Sequence, residues 1–192
     1  MRRILHTRVL AITLALFAAA SCGDSEHEFT TGACYFVFDN SVHQDPTLAS
    51  AMNPMAPGIF CQITTAMRNG ATWFDFTNNG GASSSSIQNA VDTRRTLILG
   101  HNNGIIVGYG ALSQPAVLYA FDRECPNCFD PAAIPLRSKP LSMSSSGIAT
   151  CNVCKRQYDL NNNGFISAGE EGKRLTRYRA TTTGPYGVLS VN

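Results

Sequence analysis

Charge is scarce in this chain: Asp, Glu, Lys and Arg together make up 15% of its 192 residues, and the formal net charge is only +2. That leaves no basic footprint for nucleic acid. Histidine is scarcer still, with His6, His27, His43 and His101 all ahead of residue 102. No serine-histidine-acid arrangement, phosphate-cradling loop or paired-carboxylate motif can be assembled from the linear order, so catalysis has no visible residues and a non-enzymatic role is expected. No segment has the length and period of a long helix. The one long apolar run, Val9 to Ala20, is too short to remain as a bilayer-spanning helix.

Cysteine, by contrast, is plentiful, with seven in all. Four form two short pairs, Cys125-Pro126-Asn127-Cys128 and Cys151-Asn152-Val153-Cys154, separated by 22 residues rich in proline, serine and alanine. Cysteines two residues apart can bend around a single ion so that both sulfurs and the turn's amides point at it. Two such turns complete a tetrahedral four-sulfur site. Cys125, Cys128, Cys151 and Cys154 are therefore the candidate ligands, and zinc or iron, the latter including a 2Fe-2S cluster, is the candidate cofactor.

Residues 1–21 read as an export signal, with Arg2, Arg3 and Arg8 ahead of the apolar run and Ala19-Ala20-Ser21 before Cys22. Cysteine directly after small residues resembles a bacterial lipobox, which implies cleavage before Cys22, lipid attachment to it, and anchoring to the cell envelope. Residues 22–32 read as a polar, acidic tether. The acidic residues there resemble the surface-export signal of lipoproteins in the Bacteroidetes, which implies the outer membrane. Loss of the signal leaves 12 basic against 13 acidic residues. The expected partner is then a membrane, reached through the lipid, with no protein partner identifiable. Cys34 and Cys61 remain; in an oxidising envelope they are expected either to bridge adjacent strands or to stay as buried thiols.

Residues 33–192 read as one all-β domain. Aromatic and β-branched runs at 33–38, 58–66, 71–76, 105–110, 116–122 and 188–191 fit strands, and Asn69-Gly70 between two of them is a hairpin signal. The stretch 42–57 reads as a covering loop with one helical turn near Thr47. The serine-rich stretch 78–86 reads as an exposed loop, and 175–181 as an alternating strand. Trp73, Phe74 and Phe76 fit core positions, with an aromatic sugar-binding platform as the alternative.

The metal loops, spanning 122–158, each follow a strand. Strand, Cys125-Pro126, a long loop, Cys151 to Cys154, Tyr158-Asp159-Leu160, a glycine turn, Leu175 to Tyr178 and a final Gly187 to Val191 together resemble the Rieske iron-sulfur domain over residues 58–192. The resemblance implies an antiparallel β sandwich or barrel with a metal-binding loop subdomain, and it places Cys125 and Cys151 at the family's cysteine ligand positions. The histidine ligands do not carry over, because Asn127 and Cys154 stand in their places. All-cysteine turns are similar instead to those of rubredoxin or zinc ribbons.

Other readings of the same residues remain open. Cys-Pro-Asn-Cys is similar to the redox motif of thioredoxin-like proteins, but Pro131 and Pro135 prevent the helix that would activate its first thiol. The pairs could also be disulfides without metal. Asp159-x-Asn161-x-Asn163-Gly164 with Glu170 fits a calcium-loop pattern, against which stands a simple hairpin turn.

Overall fold

The computed structural model describes residues 28–30, 32 and 34–192. The expected signal and most of the tether, with Cys22, His6 and His27, lie outside the described residues. Thirteen strands follow in order: β1 (Phe36–Asp39), β2 (Phe60–Arg68), β3 (Ala71–Asn78), β4 (Ser83–Ile87), β5 (Ile105–Tyr109), β6 (Leu118–Asp122), β7 (Leu141–Met143), β8 (Ile148–Cys151), β9 (Gln157–Asp159), β10 (Phe165–Ala168), β11 (Arg177–Tyr178), β12 (Ala180–Thr182) and β13 (Val188–Val191). Two short helices, α1 (Asn40–His43) and α2 (Pro46–Ala51), lie between β1 and β2. The expectation of an all-β chain is met.

The strands form three antiparallel sheets, ordered β1-β13-β12, β11-β6-β5-β2-β3-β4 and β10-β9-β8-β7. The central six-stranded sheet is covered on both faces, and the period-2 alternation of its strands shows how. On β5, Ile105 and Val107 face one hydrophobic cluster while Ile106 faces another; on β6, Ala120 joins the first, and Tyr119 and Phe121 join the second. The first cluster packs Phe36, Phe38, Leu189 and Val191 of the three-stranded sheet against Phe74 and Phe76 of β3, with Leu48 and Met52 from the region of α2. The second packs Phe60, Ile106 and Phe121 against Ala149, Tyr158 and Leu160 from the four-stranded sheet and its connections. A strand buried on both faces has no polar side to show, which is why residues 105–107 read as an unbroken apolar run.

Asn69 and Gly70, with φ of 50° and 78°, form the tight turn that joins β2 to β3, as their sequence indicates. Helix α2 begins at Pro46 behind Asp45, whose carboxylate caps the Leu48 amide at 2.9 Å. Several expectations need correction. Residues 83–87 form a strand rather than a loop, with Ser84 opposite Phe76 and Ser86 opposite Phe74; the register imposed by β3 overrides serine's weak strand preference. The single strand expected over 175–181 divides at Arg179, so that β11 pairs with β6 and β12 with β13. Phe74 and Phe76 are core, but Trp73 points to the opposite face, beneath the Arg68 guanidinium at 5.9 Å.

Cys34 and Cys61 do not lie on adjacent strands. Cys34 leads into β1, which pairs with β13, whereas Cys61 is on β2 between β3 and β5. Both are free thiols buried in the first cluster, and burial pushes the Cys34 thiol up to about 11.

The chain between β6 and β11 is an excursion, because those two strands pair with one another while residues 123–176 leave, build the four-stranded sheet and return. The second cluster joins that excursion to the central sheet, and close approach is needed near its edge. A Cβ on Gly108 would sit 2.3 Å from the Ile59 carbonyl oxygen and 2.9 Å from the Phe60 Cα. Gly108→Ala should therefore destabilise the domain by about 1–3 kcal/mol, the usual cost of overpacking. Denaturant unfolding with an unchanged midpoint would contradict that.

Candidate metal centre

Both cysteine pairs lie at strand ends of the excursion. Cys125 is three residues beyond β6, and Cys151 ends β8. In each turn, amides downstream bond back to the first cysteine's carbonyl: Cys128 N and Phe129 N donate to Cys125 O at 3.1 and 2.9 Å, and Lys155 N donates to Cys151 O at 3.0 Å. Lys155 takes a left-handed φ of 63° to complete the second turn. The result brings Cys125, Cys128, Cys151 and Cys154 together, with all four sulfurs within 4.8 Å of one another. They are close enough to hold one metal ion.

The four are not equivalent. Cys125 and Cys151 are fully buried in the second hydrophobic cluster, whereas Cys128 and Cys154 are half-buried at its rim. Burial pushes the Cys125 thiol up, and burial with the neighbouring Cys154 thiol pushes Cys128 up to about 12. Burial acts on Cys154 in the same sense, yet the backbone N–H and guanidinium of Arg156, with the thiols of Cys128 and Cys151, bring it down to about 6. Arg156 thus favours the thiolate form of Cys154, which is the form that ligates a cation.

Residues beyond the cysteines hold the two turns in place. The Tyr158 hydroxyl lies 3.3 Å from Cys125 Sγ and accepts from Asn127 Nδ2 at 2.9 Å. Asn127 also exchanges a pair of bonds with the Lys173 backbone, at 2.7 and 2.9 Å, which ties the first turn to the returning chain. Arg156 donates to the carbonyls of Glu170 and Glu171 at 2.9 and 3.0 Å, fastening the same segment to the second turn.

The long loop between the turns is held by a buried carboxylate. Glu124, 2% exposed, accepts from Asn102 Nδ2 at 2.9 Å, from Ser138 Oγ and from the Lys139 amide. Two residues earlier, Asp122 accepts from the His101 amide at 2.7 Å, His101 Nδ1 at 2.9 Å, the Tyr178 hydroxyl at 2.6 Å and the Glu124 amide at 2.7 Å. Apart from the Glu124 amide, two positions from Asp122, these partners have no local sequence signal, since they join residues 14 to 56 positions apart.

The remaining candidates fall elsewhere. His43 pairs with Asp92 at 2.9 Å beside the first cluster, and His101 stands beside Phe129 with ring centroids 6.2 Å apart. Neither reaches the four-sulfur cluster among the described residues. The asparagines of the calcium-like pattern are engaged with protein: Asn161 Oδ1 accepts from the Ala111 amide at 3.1 Å and Asn163 Oδ1 from Arg177 at 2.7 Å. They form the turn between β9 and β10. No helix follows Cys128, as a thioredoxin-like site would need, and all four cysteines are free thiols.

No protein-family model, curated protein or solved structure matches this chain.

Two expectations can be measured. Arg156→Gln should weaken metal affinity about 10- to 100-fold, the range for partners that orient a ligand, and Arg156→Lys should restore part of it; competition with a chromophoric chelator reads this directly. The second concerns pH. The Asp122 hydrogen bond, against some desolvation, raises the His101 pKa, so the stabilisation from this pair is fully present below the unfolded value of about 6.5 and lost as pH rises through the higher folded value. Asp122 is affected most by burial, which raises its pKa. The bonds from His101, Tyr178 and Glu124 outweigh that and hold it below its ordinary value, so its contribution is lost as pH falls through the lowered value. The stability difference between the parent and His101→Gln, at fixed metal load, should thus shrink between pH 6 and pH 9.

Proposed function

We propose that this chain is an exported, lipid-anchored envelope protein with a Rieske-like domain, and that its four cysteines hold one zinc ion in a structural, non-catalytic role. The observation that carries the metal assignment is the sulfur spacing. A tetrahedral ion with metal–sulfur bonds of about 2.3 Å places its ligands about 3.8 Å apart, and Cys125 Sγ and Cys154 Sγ, from different turns, are 3.8 Å apart. A two-iron cluster puts the width of its core between two ligand pairs, which a set of sulfurs all within 4.8 Å of one another does not leave room for. A single ion needs no such separation.

What supports a structural role is what the site joins. The loop 129–140 is exposed along most of its length and supplies little packing, whereas binding of structural zinc contributes on the order of 10 kcal/mol to the folding of small zinc domains. Support for the Rieske-like reading comes from a metal-bearing excursion that leaves and returns between two paired strands, with one cysteine loop after β6 and the other between β8 and β9. Support for the anchor and for an outer-membrane location comes from Ala19-Ala20-Ser21-Cys22 and the acidic residues after it.

The half-buried positions of Cys128 and Cys154 favour a second reading, in which a single rubredoxin-type iron exchanges electrons through the rim. Metal analysis with an absorption spectrum separates the two. One zinc per chain and no visible bands is the expected result, and a coloured, reducible iron protein would overturn it. Cys128→Ser should lower metal content and stability together, and unchanged metal stoichiometry would remove Cys128 from the ligand set.

A further inference from the structure

The two turns of the metal centre differ in how far solvent reaches their rim sulfurs. Cys154 is half-buried between Val153 and Lys155, both of which are exposed. Cys128 is half-buried too, but its neighbours Asn127 and Phe129 are themselves half-buried. A small solute therefore finds its most open approach to the four sulfurs at Cys154. Facing it from the other turn, Cys125 Sγ lies 3.8 Å from Cys154 Sγ. Cys125 is fully buried, with the Tyr158 hydroxyl at 3.3 Å. An accessible sulfur with a sheltered one in reach is the arrangement of an attacking and a resolving thiol.

Zinc has no redox chemistry of its own, so electrons given up at the centre come from sulfur. The gap between the two sulfurs exceeds the disulfide bond length of about 2.05 Å by less than one such bond. The turns are also tied down by bonds that involve no sulfur: Asn127 to Lys173, Arg156 to Glu170 and Glu171, and Glu124 to Ser138 and Lys139. These bonds do not depend on an ion. Cys34 and Cys61 belong to the hydrophobic cluster on the other face of the central sheet and take no part.

We propose that the centre is an oxidation site as well as a metal site: a hydroperoxide oxidises Cys154, Cys125 closes a disulfide with it across the two turns, and the zinc is released. The Cys154 thiolate attacks one peroxide oxygen, the O–O bond breaks, and hydroxide leaves a sulfenic acid on Cys154. Cys125 then attacks that sulfur, the S–S bond forms, the S–O bond breaks, and a second hydroxide leaves. Both hydroxides take protons from solvent. Two sulfurs have lost two electrons, and one peroxide has become two waters.

The inference rests on the single-zinc reading above and adds a reversible exit for the ion. With Cys125 and Cys154 joined, only Cys128 and Cys151 remain as ligands, too few for a structural zinc site. The new bond still links the same two turns, so the long loop stays fastened at both ends in either state. A dithiol reverses the step by thiol–disulfide exchange, taking the disulfide onto itself and returning both cysteines as thiols. The rival product is a disulfide within one turn, Cys125 with Cys128 or Cys151 with Cys154, which would leave the turns unlinked.

The test titrates the zinc-loaded protein with hydrogen peroxide, follows released zinc with a chromophoric chelator, and maps the cysteines by mass spectrometry without reduction. Trypsin cuts after Arg123, Arg137 and Lys155 but not after Lys139, which precedes Pro140, so the first pair travels on 124–137 and the second on 138–155. Release of one zinc per chain is expected, with the two peptides joined and fragmentation placing the bond at Cys125 and Cys154. Dithiothreitol and fresh zinc should then restore the load. A bond within one turn, a bond between another pair of sulfurs, oxidation beyond the sulfenic acid with no bond, or four thiols and zinc retained through excess peroxide overturns the proposal. A chain that takes up no zinc overturns the metal reading instead. The pairing is then decided by the same peptides from the peroxide-treated, metal-free chain: a Cys125–Cys154 bond sustains it, and any other result removes it.

Discussion

Two carboxylates, Asp122 and Glu124, are buried at the end of β6, and the geometry of the candidate metal centre depends on how their charge is met. Asp122 is satisfied by the His101 turn, Tyr178 and the backbone of Glu124, while Glu124 is satisfied by Asn102 and the far end of the long loop. An unpaired buried carboxylate would be costly, so each must draw its donors to it. The donors come from four separate stretches of chain. Cys125 follows directly, and its position is fixed by the polar bonds of the protein itself.

From that anchor the rest of the excursion can be understood. The first cysteine of each turn is set into an apolar cluster shared with the central sheet, and the second is left at the rim, where Arg156 favours the thiolate of Cys154 but burial and the neighbouring thiols keep Cys128 protonated. Asn127 and Arg156 then draw residues 170–173 across the site from opposite sides. The centre is thus closed by three segments of chain. A loop built mainly of proline, alanine and serine needs no packing of its own under these conditions.

The legible parts of the sequence were those governed by near neighbours. The cysteine spacing, the Asn69-Gly70 turn and the aromatic and β-branched runs that become β2, β3 and β6 each depend on residues a few positions apart, and each is found where local chemistry puts it. Ser83–Ile87 was illegible because its strand character comes from β3 and not from its own side chains. Arg179 ends one pairing and begins another for reasons held in β6 and β13. Likewise Tyr158, Asn127, Arg156 and Glu124 look ordinary in sequence; their roles arise from partners that only the folded chain brings near. The two faces of β5 show the opposite limit, where an apolar run announces burial but cannot say against what.

The outer edges of the central sheet are finished differently. On one side lies β4, a strand of serines; on the other, β11 is only two residues long, and its free backbone edge is met by the Thr30 amide. An uncovered edge is a template for pairing with another chain. Residues 28–30 therefore serve as the seam of the sheet, and tension on the N-terminal side is borne first by Thr30 and by Glu28 on Arg177. Were that seam to open, the strand laid bare would be the one paired with β6, at whose end Asp122 and Glu124 hold the first metal loop. The N-terminal seam and the four-cysteine cluster are in this sense mechanically in series.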